Sequence, residues 1–342
     1  MRVVVVGATG NVGTSVLRAL QDRPEVDSIL GVARRRPELD LPKTTWAEAD
    51  ITSSDLVPLF RGADAVVHLA WLIQPRRDLE LTRAVNVRGS GRVFEAVAAA
   101  DIPALVYASS VGAYSPAPKD RRLDESWPTG GISTSFYSRQ KAKVEKMLNV
   151  FESEHPSVRV VRLRPALIFK REAATEIRRL FAGPLLPGSL VRKQLIPIVP
   201  KIDALRFQAV HSYDVGEAYA LAIAGDARGA FNIAAEPELD SHELARLLDA
   251  REVPVPPGLL RGAADLTFRL HLQPSEPGWV DMALQCPVME TRRAREELGW
   301  TPRHSAGQAL IDLLEGMREG AGTPTPPLKS RSVRHFSLAR AK

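Results

Sequence analysis

The chain reads as α/β: a doubly wound parallel sheet with a smaller, mostly helical lobe towards the C-terminus. Two observations predict this. Short apolar runs rich in β-branched residues alternate with longer amphipathic stretches through the first half, the pattern of strands linked by crossover helices. The first of these runs, Val3-Val4-Val5-Val6, feeds directly into a glycine-rich turn, Gly7-Ala8-Thr9-Gly10-Asn11-Val12-Gly13. At 342 residues the chain can bury a full core, as one large domain or two intimate lobes.

Strands are expected at 2–6, 28–33, 46–50, 65–69, 104–108 and 158–163. Each is short, apolar and followed by a turn or helix, as strands buried on both faces are. Helices are expected to begin near Val12, Leu79 and Ser135, the second keeping Val85, Val93 and Val97 in apolar register. After Pro165 prolines become dense and the periodicity weakens. Residues 207–211 and 230–233 still read as strands and 214–224 as the helix between them, all expected to return to the main sheet. The division is then a nucleotide-binding core of 1–165 rejoined by 206–235, and a substrate lobe of 166–205 and 236–318. A tail of 320–342 lacks apolar periodicity and is expected to be disordered.

Composition is that of a soluble globular chain, with 44% hydrophobic and 25% charged residues. No apolar run approaches the roughly 18 to 20 residues of a bilayer span. The opening valines stop at Gly7, too soon for a signal peptide, so a cytoplasmic location and no membrane partner are expected. The net charge is +6, but Lys329, Arg331, Arg334, Arg340 and Lys342 sit in a tail without acidic residues, leaving about +1 for the body. The basic balance therefore belongs to the tail and not to a nucleic-acid-binding face. Cys286 is the single cysteine and reads as a buried structural thiol; no histidine pair has metal-ligand spacing, and no metal is expected. His211, inside an apolar strand, reads as a core histidine.

The glycine-rich turn lies between a strand and a helix, the context in which backbone amides and a helix N-terminus receive a pyrophosphate. This is the signature of a Rossmann core, here in a GxxGxxG spacing. At the end of the second strand, where an acidic residue would hold ribose hydroxyls, the chain has Arg34-Arg35-Arg36. Arginine pairs with a 2′-phosphate that an acid would repel, so NADP is preferred over NAD; a solvated surface cluster is the competing reading. Asp50 and Ile51 follow the third strand, where the adenine would lie, and His68-Leu69-Ala70 close the fourth, beneath the cofactor. Trp71, Arg76 and Arg77 come next and stand at the substrate mouth by loop position. Further on, Tyr137 and Lys141 are four apart on an expected helix and so share one face.

Gly7, Gly10, Gly13, His68-Leu69-Ala70, Asn86 ahead of Gly89-Ser90, Tyr107-Ala108-Ser109-Ser110 with Tyr114, Tyr137-Ser138-Arg139-Gln140-Lys141 and Arg164-Pro165 together resemble the extended short-chain dehydrogenase/reductases. That group includes NAD-dependent epimerase/dehydratases and hydroxysteroid dehydrogenases. The resemblance spans residues 1 to about 315, and 294–302 resembles the family's closing helix. It implies an NAD(P)-dependent enzyme in which Tyr137 exchanges a proton with the oxygen of a carbonyl/alcohol pair while hydride moves to or from nicotinamide. Lys141 would favour the phenolate and bond the nicotinamide ribose, Ser110 would hold the substrate oxygen, and Asn86 would support the site. The cofactor would lie against Gly7, Thr9, Gly10, Asn11, Val12, Gly13, Arg34, Arg35, Asp50, Ile51, Leu69, Ala70, Tyr137, Lys141 and Pro165. A homodimer through the helices that include the Tyr137 segment is left open.

Three readings compete: a reductase or dehydrogenase of a small-molecule carbonyl, a nucleotide-sugar epimerase with captive NAD, and a non-catalytic sensor or scaffold. Ser110 is followed by Val111-Gly112, where sugar dehydratases of this type place an Asp-Glu pair. Ala166-Leu167-Ile168-Phe169-Lys170 lacks the asparagine that many sugar-nucleotide enzymes carry there. Both departures favour the first reading, and the intact Tyr137 and Lys141 pair argues against the third.

Overall fold

The computed structural model describes residues 1–73, 78–181, 197–270 and 275–330. Its central sheet is formed by β1 (Arg2–Val6), β2 (Ser28–Ala33), β3 (Thr44–Glu48), β4 (Ala65–His68), β5 (Ala104–Ala108), β6 (Arg159–Pro165) and β7 (Gly229–Ile233). The order is β7-β6-β5-β4-β1-β2-β3, with every pairing parallel. The valine run shows why the sheet is buried on both faces. Val3 and Val5 enter one core cluster, Val4 and Val6 the other, and all four are at most 1% exposed. Helices Asn11–Gln21 and Ser212–Ala224 cover the first face, and Gly89–Ala99 and Phe136–Glu154 cover the second. Chain direction across the sheet reverses between β1 and β4, and a crevice opens at the carboxyl ends of these strands.

Several expectations need correction. The third strand is Thr44–Glu48, so Asp50 stands clear of its end. Residues 207–211 do not rejoin the main sheet. Ala209–His211 pairs with Leu167–Phe169 in a separate two-stranded ribbon, because the free edge of β6 is already taken by β7. The stretch 292–319 belongs to the core body and not to the lobe. Its helices Arg292–Leu298 and Ala306–Glu319, with fully buried Trp300 between them, enter the same cluster as Val3 and Val5. The beginning of the tail is also ordered. Thr325 and Leu328 are fully buried, and Thr323 N donates to Leu328 O at 3.1 Å. Prolines 324, 326 and 327 forbid a helix but suit a tight packed turn. Residues 331–342, Arg76, Arg77 and the lobe segment 182–196 lie outside the described residues.

Among the described residues, the lobe consists of helix Ala174–Phe181, the pair of strands Ile198–Lys201 and Arg251–Pro254, and helices Ser241–Leu248, Pro257–Arg269 and Gly278–Gln285. No helix among them is long and apolar enough to cross a membrane. His211 is buried as expected; its Nδ1 accepts from Tyr213 N at 3.2 Å and its ring stacks on His304. Cys286 is buried against Ile132 and Met282.

Two helices of the first face cross at Gly216, where a Cβ would lie 2.5 Å from the carbonyl oxygen of Ser15. Backbone cannot yield as a flexible side chain does. Gly216→Ala is therefore expected to lower unfolding free energy by about 1–3 kcal/mol, read as a lower urea midpoint with unchanged slope. An unchanged midpoint would mean that the helices separate freely.

Candidate active site

The glycine-rich turn is shaped by backbone proximity. Gly7 has φ +88°, and a Cβ there would come within 2.6 Å of Ala70 N, so the turn and the end of β4 meet as bare backbone. Gly13 faces inward, where a Cβ would meet the Gly7 carbonyl at 2.4 Å; its absence of side chain serves helix–turn packing. Gly10, by contrast, has only ordinary contacts around its Cβ position and borders the crevice. It caps helix Asn11–Gln21 without a side-chain hydrogen bond, and no acidic residue occupies that helix's first turn. The first amides and the positive end of the helix dipole are thus left for an anion, which is what a dinucleotide pyrophosphate requires.

The crevice is lined by Gly7, Thr9, Gly10, Arg34, Arg35, Asp50, Ile51, Leu69 and Ala70, all expected there. Asn11, Val12, Gly13, Tyr137, Lys141 and Pro165 do not border it. Asn11 turns its Nδ2 to Ile168 O at 3.3 Å and leaves Oδ1 buried without a partner. Pro165 lies in register with Ile233 in the buried end of β6. The exposed guanidinium groups of Arg34 and Arg35 form no ion pair among the described residues. Burial pushes the Asp50 carboxyl up, but hydrogen bonds from Thr52 and the charge of Arg34 outweigh it and hold the group below the usual range.

Among the crevice residues that sequence reasoning missed, Glu176, Arg179, Pro326 and Pro327 come from farthest along the chain. They arrive from the lobe helix and from the folded start of the tail, and no motif near the turn announces them. Burial raises the Glu176 carboxyl to about 7, against the charges of Lys170 and Arg179. Lys170 itself ties the lobe to the turn: its Nζ donates to Asn11 O, Thr14 Oγ1 and Ser15 Oγ at 2.8, 2.7 and 3.0 Å.

Helix Phe136–Glu154 begins at Ser135, whose Oγ accepts from Ser138 N, and it carries Tyr137, Lys141 and Glu145 on one face. Ser110, whose Oγ accepts from Gly112 N at 3.0 Å, stands beside the Tyr137 phenol. Burial raises that phenol to about 12, and Ser110 only partly opposes this. Lys141 is buried and is lowered to about 7 by that burial, with Glu145 opposing. Its Nζ donates to Ala108 O at 2.6 Å and lies 3.5 Å from the Trp71 ring centroid and 6.0 Å from that of Tyr137. The expected phenolate stabilisation by Lys141 is therefore not expressed, because the ammonium is engaged by a carbonyl and an indole. Trp71 borders the crevice and also meets Tyr137 edge-on at 6.1 Å, joining the two halves of the site.

Asn86 sits in a π-helical turn, Ala84–Arg88, and acts on the loop after β4. It accepts from Leu72 N at 2.7 Å and donates to Leu72 O and Gln140 Oε1 at 3.2 and 2.8 Å. It holds the Trp71 loop against the Tyr137 helix. His68 is a core residue at the base of the crevice, bonded to Ser90 Oγ at 2.9 Å and kept neutral by burial, which lowers it to about 3.

Beneath the site lies a buried charge network. Glu145, 1% exposed, accepts from Arg164 Nε and Nη2 at 2.9 and 3.1 Å, from Arg162 Nη1 at 3.0 Å and from Ser109 Oγ at 2.5 Å. Arg164 Nη1 continues to Tyr114 Oη at 3.0 Å, and that hydroxyl donates to Asn232 Oδ1 at 2.6 Å. Although burial pushes the Glu145 carboxyl up, the Arg164 and Arg162 contacts win and hold it near 2. The serine pair is thus divided: Ser109 serves the network and Ser110 serves Tyr137.

Crevice, glycine turn and Tyr/Lys helix together define a dinucleotide-binding α/β protein with its reactive groups at the carboxyl ends of the strands. Residues 3–234 match the NAD dependent epimerase/dehydratase family, and the chain belongs to it. An uncharacterised protein of Mycobacterium tuberculosis is 25% identical over 325 residues, or 94% of this chain, while the match spans only 31% of that longer relative. L-arabinose 1-dehydrogenase (NAD(P)(+)) of Haloferax volcanii is 38% identical over 110 residues, 32% of this chain and 41% of the relative. Among solved structures, UDP-glucuronic acid 4-epimerase from Bacillus cereus in complex with UDP-glucuronic acid and NAD has the same fold. Its TM-score is 0.68 at 15% identity, covering 93% of this chain and 99% of that one.

Replacing Glu145 with Gln would leave Arg162 and Arg164 buried beside a neutral group, at an expected cost of about 3–5 kcal/mol at neutral pH. The acid limb supplies a second readout. The folded carboxyl lies near 2, against an ordinary value of 4.5. Its contribution, on the order of 3 kcal/mol, is present above pH 4.5 and lost as pH falls towards 2. Chemical unfolding followed from pH 7 to pH 2 should show the gap between wild type and variant closing; a constant gap would remove the network from the account.

Proposed function

We propose that the protein is an NADP-preferring oxidoreductase that reduces a carbonyl to a secondary alcohol, or the reverse, with Tyr137 exchanging the proton. The observation that carries this reading is the Tyr137 side chain: it stands beside Ser110, one helical turn from Lys141, and meets a tryptophan that borders the dinucleotide crevice. Bound NADPH would supply the hydride. A phenol raised to about 12 is fully protonated at neutral pH and suits proton donation to a carbonyl oxygen that gains negative charge. The Ser110 hydroxyl would share that oxygen and fix its position. Lys141, lowered to about 7, carries partial charge near neutrality, and a ribose hydroxyl would share an ammonium already held by Ala108 O and Trp71. Arg34 and Arg35 line the adenosine end of the crevice without ion-pair partners, and a 2′-phosphate there would gain charge-assisted bonds at little desolvation cost.

Tyr137→Phe should leave NADPH affinity near the wild-type value while lowering turnover roughly 10²- to 10⁴-fold, the usual contribution of a positioned general acid. Turnover at the wild-type rate in that variant excludes the mechanism. An Arg34→Asp, Arg35→Asp double variant, titrated by tryptophan fluorescence, should lose NADPH affinity by about tenfold or more, with NADH little changed. Equal losses for both cofactors would remove the 2′-phosphate assignment alone. Denaturing the purified protein and identifying released nucleotide separates an exchanging reductase from an enzyme with captive NAD, which would release about one NAD per chain.

A further inference from the structure

The side chains around the Tyr137 hydroxyl carry information about what it acts upon. The Tyr137 ring is flanked by two indoles: Trp71 meets it edge-on at 6.1 Å and 77°, and Trp279 lies across it at 5.1 Å and 33°. All three rings are half-buried, so each keeps part of its surface outside the packed interior. Trp71 comes from the loop after β4, and Trp279 from lobe helix Gly278–Gln285, which brings the two indoles to Tyr137 from opposite parts of the chain. Behind them Ile132, Met282 and Cys286 form a separate small cluster that also packs Val111, Tyr137 and Trp279. Burial raises the Cys286 thiol to about 12 against the charge of Lys119, so the thiol is uncharged. At Gly112 a Cβ would fall 2.7 Å from Met282 Cε and 2.9 Å from Tyr137 Cε1, so the phenol and the apolar wall close over bare backbone.

We propose that the substrate carries its reacting carbonyl or carbinol on an uncharged, apolar, ring-bearing body that rests against the aromatic group of Trp71, Tyr137 and Trp279. The inference rests on the oxidoreductase reading above. Faces and edges of indoles and phenols give their best contacts to other rings, and they offer nothing to a polyanion. The ring contacts of Tyr137 are aromatic and its cluster is apolar, which suits an apolar group next to the reacting carbon. Lys141, the cation nearest the phenol ring, is already engaged by Ala108 O and Trp71. In the reducing direction the carbonyl carbon accepts hydride from NADPH and its oxygen accepts the Tyr137 proton. The products are the secondary alcohol and NADP⁺, and Tyr137 regains a proton from solvent.

The test uses the whole chain with NADPH and three probes: 2-acetylnaphthalene, dihydroxyacetone and UDP-glucose. The naphthyl ketone is expected to be reduced with kcat/KM at least roughly tenfold above that of dihydroxyacetone, and UDP-glucose should not compete. Trp279→Ala should lower kcat/KM for the naphthyl ketone by roughly tenfold, chiefly through KM, and Trp279→Phe should keep most of it. The ketone should also quench wild-type tryptophan fluorescence, and less so in Trp279→Phe. Comparison of the probes on wild type needs no variant to fold. Equal or better use of dihydroxyacetone, competition by UDP-glucose, or absence of both turnover and quenching with the naphthyl ketone overturns the proposal. Reduction of dihydroxyacetone alone, abolished by Tyr137→Phe, would leave the reaction standing and remove the apolar substrate. Quenching by the naphthyl ketone without reduction of either ketone would do the opposite.

Discussion

The carboxylate of Glu145 is the point on which the reactive half of the molecule hangs. It is two helical turns beyond Tyr137 and one beyond Lys141, so whatever fixes it fixes them. Two arginines from β6 and a serine from the end of β5 bind it in the interior. A buried carboxylate with one cation would be a poor source of stability, because desolvation offsets most of the attraction. Here the carboxylate has several donors, and the second arginine carries the restraint onward through Tyr114 to Asn232 on β7. The helix is thereby locked to three strands of the sheet by directional bonds, which apolar packing alone does not supply. The network fixes where Tyr137 and Lys141 stand against the sheet, the kind of restraint that chemistry at the Tyr137 hydroxyl would need.

The crevice shows a different economy. One wall is close backbone contact between the glycine turn and the end of β4, where Gly7 leaves no room for a side chain. The opposite wall is assembled from Glu176 and Arg179 on a lobe helix and from Pro326 and Pro327 near the far end of the chain. Lys170 joins the two by placing three hydrogen bonds on the first turn of the dinucleotide helix. Placing an ammonium at the positive end of a helix dipole is unfavourable, and its acceptors are accordingly one carbonyl and two hydroxyls already at hand.

How much of this was legible depended on whether a signal was local. The valine run, the glycine turn and the four-residue spacing of Tyr137 and Lys141 depend on neighbours in sequence, and each appears where local rules place it. The shift of the third strand to Thr44–Glu48 follows from pairing register with β2, which composition does not encode. Tertiary competition explains the other departures. Residues 207–211 lost the β6 edge to β7, and the helices of 292–319 pack against β7, helix Ser212–Ala224 and the Ala209–His211 ribbon. Glu145 was within reach, since it continues the spacing of Tyr137 and Lys141 by one more step, and Arg164 was already noted for its place in a motif. Trp279, Arg179 and Pro326 carry no such mark, and only the folded chain brings them to the site.

The proline-containing turn near residue 326 has a consequence for how the protein is made. Synthesis proceeds from the N-terminus, so β1, the glycine turn and the first helix emerge well before residue 326. The crevice they border then lacks one wall until Thr325 and Leu328 are buried, among the last described residues to appear. A chain cut before residue 325 would keep the glycine turn and lose Pro326 and Pro327 from the crevice.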